Sequence, residues 1–102
     1  MTKAELVNEI SIKTGVEKMA VQTVVESMMK VVKTSLVNQD NVYLRGFGSF
    51  IVKKRAQKTG RIITQNRAII IPEHFIPAFK PAKTFTDKVK NAHKKKEAQA
   101  QS

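Results

Sequence analysis

The 102-residue chain carries 19 Lys and Arg against 8 Asp and Glu, a formal net charge of +11. At that length it makes one small domain with a modest core, and 41% apolar residues are too many for a disordered chain. So large a positive excess implies a polyanionic partner, nucleic acid ahead of an acidic membrane surface, and no apolar run approaches the ~20 residues that cross a bilayer. Thr2-Lys3-Ala4-Glu5 reads as a capping box, with Thr2 as N-cap and Glu5 three residues on. Leu6, Val7, Ile10 and Ile12 follow at helical spacing, and Gly15 supplies a left-handed end near Thr14. A second helix is expected over residues 17–37, where Val21, Val24, Val25, Met28, Val32 and Leu36 recur at three- and four-residue steps. Met19, Ala20, Met29 and Val31 widen its apolar surface beyond the single ~100° stripe of an ordinary surface helix. A single covering layer from so short a chain is insufficient for that surface, which points to a second chain, most simply a two-fold homodimer, the alternative being a helix buried wholly within one subunit.

Residues 38–41 form a polar turn, and Val42-Tyr43-Leu44-Arg45 alternates as a half-buried strand. Gly46-Phe47-Gly48-Ser49-Phe50 sets two glycines around a phenylalanine, with Phe47 and Phe50 expected as core anchors. Residues 53–71 then read as a β-hairpin, two β-prone runs flanking a Thr64-Gln65-Asn66 break. Its first half carries Lys53, Lys54, Arg55, Lys58 and Arg61, and no acid stands between Asp40 and Glu73. At ~3.3 Å per residue, 53–63 reaches about 35 Å, farther than a domain this small covers. A ribbon of that length is marginal alone in water, so it needs something to lie against, and its charge suits a nucleic-acid groove. Residues 72–81, with three prolines, are expected to be irregular or an edge strand. Pro81 then opens a last helix over 82–91, with Phe85 and Val89 on its buried side. Residues 92–102 read as a basic tail without fixed structure.

Residues 42–50, the basic arm, Ile69-Ile70-Ile71-Pro72 and Pro77-Ala78-Phe79-Lys80-Pro81, in that order behind two helices, resemble the bacterial HU/IHF histone-like proteins over residues 1–91. The pairing of Gly-Phe-Gly-X-Phe with Pro-Ala-Phe-Lys-Pro about thirty residues later is what makes the likeness specific. The resemblance implies an α+β fold in an intertwined dimer, with a helical body, an antiparallel sheet and an extended β-ribbon arm that enters the DNA minor groove and bends the duplex. By position it implies arm contacts from Lys53, Arg55, Lys58, Arg61 and Arg67, flanking contacts from Lys3, Lys80 and Lys83, and close backbone approach to phosphate at Gly46 and Gly48. At the tip, Ile63 stands where the family usually has a proline that wedges between base pairs, and Asn66 replaces a turn glycine. Ile is among the apolar wedges of minor-groove benders, so Ile63 is either an intercalating wedge or a β-former packed at the tip.

The expected partner is therefore double-stranded DNA, with bent, nicked or gapped duplex favoured because it is cheap to deform. The subunit partner is expected to be an identical chain, with a heterodimer as the alternative. Other readings of the charge are an IHF-like sequence-specific bender, an RNA-preferring variant and an extracellular polyanion scaffold. His74 and His93 have no ligand spacing to a second His, Cys or carboxylate pair, and no Ser-His-Asp, Walker or paired-carboxylate arrangement occurs. No metal, cofactor or catalytic residue is expected. The absence of cysteine and of a signal-peptide pattern at the start of the chain fits a cytosolic protein, and the resemblance implies a place in the bacterial nucleoid.

Overall fold

The computed structural model describes residues 1–62 and 67–101, with side chains at all of these except 61, 62, 67 and 94–101. Eight elements follow one another among the described residues: helices α1 (Lys3–Thr14) and α2 (Lys18–Val37), strands β1 (Val42–Leu44), β2 (Gly48–Arg55), β3 (Lys58–Ile62), β4 (Arg67–Ile71) and β5 (His74–Pro81), and helix α3 (Lys83–Gln101). The expected α+β class is observed. Both ends of α1 form as the residues dictate. The Thr2 hydroxyl accepts the Glu5 backbone N–H at 3.2 Å, a cap worth about 1 kcal/mol. At the far end Gly15 takes φ +75°, and its N–H donates to Ser11 O at 2.9 Å.

Strands β1, β2 and β5 make one antiparallel sheet in that order, and β3 pairs with β4 in a separate two-stranded ribbon. Eight residues of β2 pair with β5, from Gly48 opposite Pro81 to Arg55 opposite His74. This corrects the expected arm. Lys53, Lys54 and Arg55 pair with residues 74–76 of β5, and only β3 returns through β4, Lys58 opposite Ile71. The arm is thus two hydrogen-bonded segments broken at residues 56–57 and 72–73, because Pro72 has no N–H to continue the ladder. Residues 72–81 are also more regular than expected. Their prolines are accommodated because β5 is the outer strand of its sheet, where a missing N–H need not cost a ladder bond. The expected turn at Thr64, Gln65 and Asn66 lies outside the described residues.

Two expectations about the C-terminal part are also corrected. Pro81 ends β5 rather than opening the last helix; Ala82 makes the junction, its N–H donating to Phe47 O and its carbonyl accepting from the Thr86 N–H. Helix α3 then runs to Gln101 instead of stopping near Asn91, so the tail expected to lack structure is helical in its backbone. Residues 92–101 contain only Ala, His, Lys, Glu and Gln, with no Gly or Pro to stop a helix.

The core is sparse. Among the described residues the buried hydrophobic side chains are those of Val7 and Val21 alone, 4% and 5% exposed. Rings of Phe50, Phe79, Phe47 and Phe85 follow one another with centroids 5.1, 5.1 and 5.6 Å apart, joining the sheet to the start of α3. Phe47, expected as a core anchor, keeps 45% of its surface exposed. On α2, Val24 is 68% and Val31 66% exposed, and Met28 lies between them. The radius of gyration is 19.7 Å, against about 13 Å for a compact chain of this length. The subunit is drawn out to 55 × 46 × 29 Å and leaves much apolar surface uncovered.

Candidate nucleic-acid interface

A strand places successive side chains on opposite faces, and directly paired residues share a face. The register therefore sorts the sheet into two sides. Phe50, Val52, Pro77 and Phe75 share one side, where they line a hollow with Val32, Leu36 and Val37 of α2. The other side holds Tyr43, Ser49, Ile51, Lys53 and Arg55, and across from them Lys80, Ala78, Ile76 and His74. This outer face spans six residue steps, about 20 Å, and contains no acid.

The sequence-predicted residues divide accordingly. Lys53, Arg55 and Lys80 lie together on the outer face, all exposed. Lys83 begins α3 beside it and lines an open cleft with Tyr43, Arg45, Gly46, Gly48, Ser49 and Lys80. Lys58 opens β3 and is exposed just beyond the break in the arm. Arg61 and Arg67 contribute backbone to β3 and β4, at adjoining register steps, and Ile63 lies outside the described residues.

Lys54 makes the control. It sits one residue from Lys53, points to the helix side and pairs with Glu73 at 3.0 Å. The nearest acid to the arm is thereby engaged by the cation that faces away from the outer surface.

The two glycines act differently. Gly46 takes φ +82° in the turn where the Phe47 N–H donates to Leu44 O, with open space around its Cα. Gly48 is a packing requirement, since a Cβ there would lie 2.6 Å from Lys80 O and 2.7 Å from the Phe79 ring. Its place is set by the close seat of Phe79 on the strand, while Gly46 leaves backbone open at the cleft.

Lys3 stands on α1, where its ammonium donates to Glu26 Oε1 at 2.9 Å, and the Gln22 amide donates to the same oxygen at 3.3 Å. The Lys3 hydrogen bond, then that from Gln22, holds the Glu26 carboxyl below the ordinary carboxylate range. Lys3 is therefore an occupied cation that must exchange a carboxylate for any phosphate it meets.

Sequence reasoning missed Arg45, Tyr43 and Ser49. Arg45 was concealed because it falls in a turn rather than in the arm, yet it is exposed and lines the cleft with Lys80 and Lys83. Tyr43 is 72% exposed on the outer face. The alternation of β1 and β2 was the signal that could have found Tyr43 and Ser49.

A family described as "Bacterial DNA-binding protein" matches residues 1–90. DNA-binding protein HU of Thermus thermophilus is 41% identical over 90 residues, covering 88% of this chain and 93% of its own. Integration host factor subunit beta of Marinobacter nauticus is 38% identical over 96 residues, covering 93% and 98%. Among solved structures, an Anabaena HU–DNA cocrystal matches with TM-score 0.83 and 34% identity over 87% of this chain and 97% of that one. With its two N-terminal helices, its sheet and its basic ribbon, the chain belongs to the HU/IHF family of bacterial DNA-binding proteins.

Proposed function

We propose that this chain works as a homodimer that binds double-stranded DNA with little regard to sequence and bends it, shaping the chromosome within the bacterial nucleoid. The observation that carries this reading is the acid-free outer face, on which Lys53, Arg55 and Lys80 are continued by Lys58 into the ribbon and flanked by Arg45 and Lys83. Basic residues on one surface displace condensed counterions from phosphates, and each such contact adds about 0.9 to the slope of log K against log salt. At 0.1 M salt one contact is worth roughly eightfold in affinity, ~1.2 kcal/mol. Bending a duplex by tens of degrees costs about 1–6 kcal/mol, so roughly five further contacts offset the upper figure. Two copies of the named cations supply more than that number, and duplex already bent, nicked or gapped costs less to deform. In sequence Ile63 stands where the family has its wedge residue, with Arg61 and Arg67 to either side of it.

The exposed apolar surface supports the homodimer. Val24, Met28 and Val31 of α2, with Val42 and Leu44 of β1, line one apolar hollow, and Phe75 at the far end of the sheet is 55% exposed. A second copy is the economical cover, since a two-fold axis presents the same surface to itself.

The test is energy transfer across an end-labelled duplex during a salt titration, with the mass of free and bound protein from sedimentation. The expected result is a dimer, a bent duplex and a steep negative slope. A monomeric mass with a shallow slope would end this reading.

A further inference from the structure

We propose that His74 is a proton-linked DNA contact: at the break in the arm it forms, with Arg55 and Lys58, a subsite for one backbone phosphate. The inference rests on the DNA-binding reading and adds to it a site and a dependence on pH. Arg55, Ala56, Gln57, Lys58, Ile71, His74 and Ile76 enclose a shallow hollow where the ladder of the body sheet stops and the ribbon begins. His74 pairs directly with Arg55, so both side chains leave the sheet on the outer face. The apolar walls are Ile71 and Ile76, and no acid contributes to the hollow.

The imidazole is oriented. Its Nδ1 lies 2.9 Å from the carbonyl oxygen of Pro72, which can only accept, so Nδ1 carries hydrogen and donates. In the neutral ring Nε2 is then an acceptor, which repels a phosphate oxygen. On protonation Nε2 becomes a donor and the ring a cation, and His74 joins Arg55 and Lys58 as a third positive group. The charged groups around it are Arg55 across the strand pair, Lys53 two residues further along β2 and Lys58 across the hollow. Glu73, next in sequence, is engaged by Lys54 at 3.0 Å. A phosphate placed among these cations favours the protonated ring, so binding takes up a proton and affinity rises as pH falls.

The chain has two histidines, so the assignment can be closed. Affinity for a dye-labelled duplex is measured at fixed salt from pH 8 to pH 6 for the parent protein, His74→Gln, His74→Lys and His93→Gln. Calorimetry near pH 6.5 in two buffers of different ionisation enthalpy counts the protons taken up. The parent and His93→Gln are expected to bind at least about threefold more tightly at pH 6 than at pH 8, one linked proton allowing at most about tenfold per pH unit for each arm. His74→Gln loses the pH response and the proton uptake, while His74→Lys binds tightly at both pH values. A ring that serves only to close the Pro72 turn would give none of this pattern. The proposal is overturned if His74→Gln keeps the parent's pH response, or if His93→Gln abolishes it. Failure of the parent to bind duplex at either pH would instead remove the DNA reading, and this inference with it.

Discussion

The sorting of the arm's cations by strand face can be tested by three substitutions that remove the same charge. Lys53 and Arg55 lie on the outer face, while Lys54, between them, pairs with Glu73 on the helix side. Lys53→Ala and Arg55→Ala each delete one phosphate contact per arm, about 0.9 in the salt slope, or about eightfold in affinity at 0.1 M. The proposed homodimer carries each change twice, which gives about 1.8 in slope and roughly 60-fold in affinity. Lys54→Ala lowers net charge equally but removes no contact, so its slope stays with the parent's. The assay is duplex binding at five or more salt concentrations, comparing slopes rather than single affinities. Equal slopes for Lys54→Ala and Arg55→Ala would refute the face assignment and leave net charge as the whole explanation. A loss near 0.9 in place of 1.8 would mean that one arm engages at a time.

Gly48→Ala forces backbone or the Phe79 ring to move and should cost about 1–3 kcal/mol, roughly 4–8 °C in Tm per kcal/mol. Gly46→Ala meets open space and bears only the left-handed strain of about 1–2 kcal/mol, so in urea melts it should be the milder of the two. Glu26→Gln frees Lys3 and should tighten duplex binding by up to about eightfold per arm at 0.1 M salt; an unchanged affinity would remove Lys3 from the interface. Because the folded-state Glu26 carboxyl titrates below its ordinary value, the Lys3 pair is intact at neutral pH and is lost only as pH falls through that lowered value. Hydrogen exchange at the start of α1 on acidification checks the sign. Val24→Lys places a charge in the apolar surface of α2 and should cost the dimer about 3–5 kcal/mol, read as a shift to monomer mass in sedimentation.

Much of the fold was legible because its signals are local. Thr2 and Gly15 bound α1 by their own chemistry, and the three- and four-residue steps from Val21 to Leu36 mark α2. The pairing of the arm was not legible, because which strand meets Lys53 depends on a partner more than twenty residues away. Pro72 breaks the ribbon at a place that the charge pattern does not reveal. The end of α3 was misplaced because a Lys-, Ala- and Gln-rich segment suits a solvated tail and a helix equally well by composition. At the candidate interface the resemblance named Lys53 and Arg55 and not Lys54, and β2's alternation puts the first two on one face and Lys54 on the other. The Lys3–Glu26 pair, 23 residues apart, required the packing of α1 on α2 to be known.

The same alternation explains how one small sheet serves two partners. Along β2 the odd positions Ser49, Ile51, Lys53 and Arg55 face outward, and the even positions Phe50, Val52 and Lys54 face the helices. Each face then changes character along the strand. Ser49 and Ile51 are half-buried near the body, whereas Lys53 and Arg55 are exposed where the strand leaves it. On the even side, Phe50 and Val52 line a hollow with α2, and Phe75, opposite Lys54, reaches the same hollow while keeping 55% of its surface exposed. A slip of one residue in the β2–β5 register would send Lys53 and Arg55 into the apolar side and bring Phe50 and Val52 out. In the observed register the Phe79 ring sits where a Cβ on Gly48 would lie, 2.7 Å away, so the close packing there needs a glycine. The glycine that reads as a phosphate contact is thus first a packing position on the same strand that carries Lys53 and Arg55.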